Sequence, residues 1–349
     1  MFFDTIILTC CARFQAGRSI SAVFHLLKGK RSIQTVQDAH LYQLEQFYGI
    51  YPTLRKRSFD ERIQKLEKNG YLPLRSESAA VPTQEASSWM DKQKEKLPLR
   101  YFNGLHYCRL APVFLERLLL LIQTLTNSRM GNLNFIPVVD KPVVTDWVKQ
   151  AFYRYRKEQD TYLNGLYKEL YQILGHFTDL EASIFTDSLT GYQQYGLSSF
   201  QVGERYDIER LDVPLYKTAL IHRMLTIIEK EYPLYPLLGR IKSELPTESG
   251  LSKSAEKTKT LLDKQYEAEE IAVVRRLKLN TIYDHLVEIA LYDDEFPLSK
   301  YVNSTEQTEI EKAAQKTLSY KLKDIKQEVG ESISYFQIRL VLATERFPS

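Results

Sequence analysis

The stretch from Thr258 to Phe296, TKTLLDKQYEAEEIAVVRRLKLNTIYDHLVEIALYDDEF, decides how this 349-residue chain is read. Thr258, Leu261 and Leu262 begin a first helix, Glu267 to Arg276 is a second, and Leu277 to Leu279 is a turn. Asn280 caps a third helix that runs to about Tyr292, because its short polar side chain suits a helix start. The second helix buries Ile271, Ala272 and Val274, and Ile282, Leu286 and Ile289 recur at the spacing of one helical face. The order is helix-turn-helix, with the third helix crossing the second so that Ile271 and Leu286 share one core.

At 100° per residue the opposite surface of the third helix consists of Asp284, Val287, Glu288 and Leu291. That surface is acidic and partly apolar. Carboxylates repel phosphate, although they accept from cytosine N4, so these four residues are assigned to partner binding. Arg275, Arg276, Lys278, Asn280 and Thr281, at the turn and the start of the third helix, are the candidates for a DNA phosphate. No glycine marks the turn; Arg276 stands where many such motifs place one. The alternative for the same residues is a helical bundle in which Arg275 makes an internal salt bridge to Glu269 or Asp284.

Outward from this segment, low glycine and proline content and scarce alternation of β-branched residues predict a mainly α protein. Two polar stretches divide it. The expected organisation is a basic winged-helix-like domain over residues 1–75, a linker over 76–98, a helical bundle domain over 99–242, a second linker over 243–254, and a helix-turn-helix domain with added C-terminal helices over 255–349. In the first region Ser19 caps a helix ended by Gly29, Val36 to Phe47 suggests a second, Ser58 opens a third, and Tyr71 to Leu74 reads as a strand.

Formal net charge is only +3, yet residues 1–100 hold sixteen Lys/Arg against ten Asp/Glu. Positive charge is therefore gathered in the first third, and two clusters, Lys28, Lys30, Arg31 and Arg55, Lys56, Arg57, flank the second helix where they can meet a DNA backbone. The competing reading is solvated loop charge. Tyrosines of the middle region, interleaved with Arg154, Arg156 and Lys157, read as core more readily than as base-stacking rings.

Three cysteines, Cys10, Cys11 and Cys108, form no disulfide framework and point to a reducing, cytoplasmic setting. The apolar cluster around Phe2 to Leu8 is broken by Asp4 and lacks a preceding basic residue, so it is not read as a signal peptide. The longest uninterrupted apolar run, Leu118 to Ile122, is far short of a spanning helix, and no membrane association is expected. No phosphate-binding loop, zinc spacing or nucleophile elbow is present; Lys28-Gly29-Lys30-Arg31-Ser32 lacks the first glycine of such a loop. No catalytic residue, cofactor or metal is assigned, and the chain is expected not to be an enzyme.

The pattern Ile271-Ala272-x-x-Arg275-x-Leu277-x-x-x-Thr281-Ile282-x-x-His285-Leu286 resembles the helix-turn-helix domain at the C-terminus of some RecQ-type helicases and in the separate Firmicute proteins called YpbB. The whole chain looks like a YpbB-family protein, including Leu26 to Ser32 and Gln34 to Ala39. The resemblance implies a cytoplasmic bacterial protein associated with a RecQ-type DNA helicase in recombination, repair or replication restart. The expected role is a non-catalytic accessory protein that binds the helicase and, through its N-terminal region, DNA. A sequence-specific transcription regulator is the rival, distinguished by a preferred duplex sequence.

Overall fold

A computed structural model describes residues 1–15, 17–73, 80–245, 250–293, 295–317 and 320–344. Its helices run from Phe2–Phe14 to Tyr335–Thr344, and among the described residues no strand forms beyond isolated bridges such as Gly191 with Gln194. Helices dominate because apolar residues recur at three- and four-residue spacing through nearly every segment. The structure falls into two compact units that interleave along the chain. One contains Met1–Leu8, Gly49–Leu54 and Gln84–Pro246; the other contains Thr9–Tyr48, Arg55–Thr83 and Thr247–Ser349.

This division differs from the expected succession of domains. Most of residues 1–75 and the helix-turn-helix region belong to one unit. Two elements of the early chain, residues 1–8 and 49–54, belong to the other. The stretch expected as a linker over 76–98 contains the helix Gln84–Lys94, while residues 76–79 lie outside the described residues. The unit boundary at Pro246 and Thr247 does fall within the expected 243–254 linker, of which residues 246–249 lie outside the described residues.

The middle unit is built around the helix Leu110–Arg129, against which Pro142–Tyr155, Gln159–Leu174, Val213–Lys230 and Pro236–Ser243 all pack. By length and composition Leu110–Arg129 is apolar enough to cross a membrane. It is instead the core helix of this unit, with Phe114, Leu118, Leu121 and Leu125 buried among neighbouring helices. Its buried polar side chains bond within the unit: the Arg117 guanidinium donates through one terminal nitrogen to the Glu244 carbonyl at 2.7 Å, its Nε having no acceptor, and the Gln123 side chain bonds Ile136 and Val138 backbone. Burying each such leucine or phenylalanine contributes roughly 1.5–3 kcal/mol, enough for these contacts to override the helix's uniform greasiness as a packing signal.

In the other unit three early helices are present, Ile20–Lys28, Ile33–Leu41 and Lys56–Lys68; the second starts before Val36 and stops at Leu41, leaving Glu45–Phe47 as a separate 3-10 turn, and the third is entered from Arg55 rather than opened by Ser58. Gly29 ends the first with φ +68°, a left-handed conformation that glycine adopts without a Cβ penalty. The expected strand does not follow: Tyr71 and Leu72 are bends, Pro73 is irregular, and Leu74 lies outside the described residues. These helices are tied to the C-terminal region. Ile33 packs with the helix-turn-helix core, the Gln37 amide donates to the Arg339 carbonyl at 3.1 Å, and Arg18 donates to the Tyr320 carbonyl at 3.3 Å.

Candidate nucleic-acid interface

The helix-turn-helix consists of Lys253–Leu262, Ala268–Arg275 and Leu279–Ala290. Ser252 caps the first helix, accepting from the Ala255 N–H at 3.1 Å. A reciprocal cap starts the second, where the Glu270 carboxylate accepts from the Glu267 N–H at 2.9 Å. The shared core holds Ile271, Ile282 and Leu286, as their spacing predicts. Two local expectations shift. Val274 is exposed rather than buried, and the third helix begins two residues early: Lys278 occupies the extended cap position, which places Asn280 inside the first turn instead of at its cap.

Arg276 sits at the turn with φ +52° and ψ +44°, the conformation for which glycine is usual. Placing an L side chain there costs about 1 kcal/mol, so Arg276→Gly is expected to raise the unfolding temperature of the chain slightly, by no more than about 1 kcal/mol of stability. The same change should weaken DNA retention if the guanidinium touches phosphate. Thermal melts and duplex titrations on one preparation read both effects.

Arg275 is half-buried and turned toward the first helix. Its guanidinium donates to the Ser254 carbonyl at 2.8 Å, to the Ser254 hydroxyl at 3.0 Å and to the Thr258 hydroxyl, locking the first helix to the second. Thr258 in turn pairs with His285 Nδ1 at 2.9 Å. Burial, with Arg275 beside it, holds the His285 imidazole below its ordinary pKa. Arg275 is therefore an internal clasp, as the bundle alternative anticipated in kind, though its acceptors are serine and threonine oxygens rather than Glu269 or Asp284.

The surface assigned to partner binding is largely used within the unit. Val287 and Leu291 are buried. The Ser252 N–H and hydroxyl both donate to the Glu288 carboxylate, at 2.5 and 3.0 Å, and Arg339 donates to Asp284 at 2.6 Å. Asp284 keeps 47% of its side chain exposed but is neutralised by that pair. A helical wheel assigns one inward face to an isolated helix. Here the helices Lys253–Leu262 and Tyr335–Thr344 both pack on Leu279–Ala290, so two faces are covered. Among the described residues of the motif, Arg276, Lys278 and Asn280 remain exposed, with Thr281 half-buried; the second helix exposes Glu267, Glu269 and Glu270 together with the side chains of Val273 and Val274, 78% and 57% exposed.

The six N-terminal cations, Lys28, Lys30, Arg31, Arg55, Lys56 and Arg57, are all exposed. The fold brings the two clusters together around Phe24. The Lys28 and Lys56 ammonium groups lie 5.8 and 5.6 Å from the centre of its ring, and Lys56 also lies over Phe59. The field of this surface registers on His25, whose imidazole is pushed below its ordinary pKa by burial and further by Lys30 and Lys56. Part of the charge is compensated: Lys56 pairs with Asp60, and Arg57 with Glu61 at 2.8 Å, one turn along their own helix. Such exposed pairs are worth well under 1 kcal/mol and are readily exchanged for phosphate. Phe24, the ring that gathers both clusters, is a site residue that charge counting passes over; its i, i+4 relation to Lys28 is the available signal.

The middle-region tyrosines divide. Tyr162 and Tyr235 are core, while Tyr167 and Tyr171 remain mostly exposed and stack on each other at 6.2 Å.

Residues 254–342 match the family described as a helix-turn-helix domain. Across 99% of its length the chain is 32% identical to protein YpbB of Bacillus subtilis (strain 168), of which it covers 97%. No solved structure matches the chain.

Proposed function

The chain belongs to the YpbB family, and from that premise we propose that it is a non-catalytic, cytoplasmic accessory protein of a RecQ-type DNA helicase, acting in recombination, repair or replication restart. It holds DNA through the unit that contains its helix-turn-helix domain. The observation that carries this reading is the gathering of Lys28, Lys30 and Lys56 on one exposed surface of that unit. Arg276, Lys278 and Asn280 supply further donors at the motif's turn. Helicase capture is assigned to the adjacent exposed Val273 and Val274, because the acidic stripe is spent on contacts within its own unit. Tethering by such a protein raises the helicase's local concentration on its substrate without any chemistry.

Co-purification with the host's RecQ-type helicase tests the partner assignment. The full chain is expected to retain the helicase, and the Val273→Asp, Val274→Asp double variant, both at exposed positions, is expected to lose most of it. A wild-type chain that retains none contradicts the proposal. Equal retention by the variant moves the docking surface elsewhere.

A further inference from the structure

The middle unit contains a cavity of about 200 Å³ whose walls repeat one spacing twice. Pro214, Lys217, Thr218, Ile221 and His222 form a stripe of the Val213–Lys230 helix. Cys108, Ala111, Pro112, Leu115 and Glu116 form the facing stripe, and the segment from Gly49 to Thr53 closes a third side. Both stripes follow i, i+3, i+4, i+7, i+8, so the Val213–Lys230 helix meets the start of the Leu110–Arg129 helix, with Cys108 in the turn before it, along the cavity's length. The volume lies below the roughly 300–1,000 Å³ of drug-sized sites, so an occupant must be small.

Most of the wall is apolar, and its polar groups are unequal in their satisfaction. Glu116 is paired with Lys141, and the Thr218 hydroxyl donates to the Pro214 carbonyl at 2.9 Å. Lys217, half-buried, makes no ion pair or hydrogen bond through its ammonium among the described residues, and its pKa is pushed down by burial alone. His222 is fully buried. Its Nδ1 accepts from the Asn103 N–H at 3.1 Å, which places the neutral ring's proton on Nε2, an atom with no acceptor. The wall thus offers donors, one of them cationic, against an aliphatic surface. Of these donors only His222 Nε2 is sealed without an acceptor; the half-buried Lys217 ammonium keeps access to solvent, and an acid group there would add a charge-assisted hydrogen bond beside an apolar wall.

We propose that this cavity binds a small apolar carboxylate, with the acid group on Lys217 and the hydrocarbon against Ile50, Leu115 and Ile221. Nothing in this reading depends on DNA or helicase binding. The probes are benzoate and hexanoate, added to the full chain at constant ionic strength and followed by calorimetric titration and thermal melts. Saturable binding is expected, with benzamide and benzylamine at least about tenfold weaker, the difference made by one charge-assisted hydrogen bond. Lys217→Met, which keeps the stem's volume, should weaken hexanoate to the same degree while leaving the ligand-free unfolding temperature unchanged or raised. The comparison of benzoate with benzamide on the unaltered chain stands whether or not the variant folds. Absence of saturable binding by either acid, or equal binding of benzoate and benzamide, overturns the proposal.

Discussion

Acidification from pH 7 to pH 4 is expected to remove several kcal/mol of stability from the middle unit, through His222. Its ring is fully buried between the Tyr107 and Phe102 rings, and burial, with His106 nearby, pushes its pKa down from 6.5 to about 3. The folded state therefore binds its proton less tightly than the unfolded state. Stability from this group is complete above about pH 6.5, falls as the pH drops below that value, and is fully lost near pH 3. A difference of this size corresponds to about 5 kcal/mol in full, roughly 3 kcal/mol of it lost by pH 4, against a total stability of about 5–15 kcal/mol for an ordinary domain. His222→Gln retains an acceptor for the Asn103 N–H but does not titrate. Urea denaturation read by Trp147 fluorescence should show a steep pH dependence in the parent chain and a shallow one in the variant. Equal pH dependence in the two would remove His222 from the explanation.

A second large effect is expected at Asp212. This carboxylate, 3% exposed, accepts from the Phe2 and Phe3 N–H groups at 2.9 and 2.8 Å and from the Met1 ammonium at 2.8 Å. Those are orphan donors at the start of the helix Phe2–Phe14, whose Phe2, Phe3, Ile6 and Ile7 are buried. Asp212→Ala leaves two buried N–H groups without an acceptor, at about 1–3 kcal/mol each, and removes the charge that complements the helix terminus. A loss of about 3 kcal/mol is expected in chemical denaturation. Asp212→Asn, which retains one carbonyl acceptor, should lose less than half of that; an Ala variant as stable as the parent would show that the cap contributes nothing.

The local order of the helix-turn-helix was readable in the sequence because its core residues, Ile271, Ile282 and Leu286, follow helical spacing within 20 residues of one another. Even the missing turn glycine was informative, since Arg276 proved to occupy the left-handed position itself. Long-range partners were not readable. Ser252 reaches Glu288 across 36 positions and Arg339 reaches Asp284 across 55, and neither pairing leaves a periodic trace. Those contacts turned a supposed docking stripe into an internal seam. The same limit applies to the supposed independence of residues 1–75: nothing in the local spacing of Ile33 and Gln37 shows that they meet the C-terminal core and the Arg339 carbonyl. The basic clusters were readable as composition, but their union depends on the fold bringing the end of Ile20–Lys28 and the start of Lys56–Lys68 together, so that Lys28 and Lys56 reach the one Phe24 ring.

The central claim, that this surface holds a nucleic-acid backbone, is tested most directly by titrating a fluorescent duplex with the full chain between 50 and 200 mM salt. The account predicts affinity that falls linearly on logarithmic axes. It predicts that Lys30→Glu with Lys56→Glu binds at least about tenfold more weakly at the lowest salt, with a slope shallower by about two. Both positions are exposed, so the fold should survive the change. Unaltered affinity and slope in the variant would contradict the account.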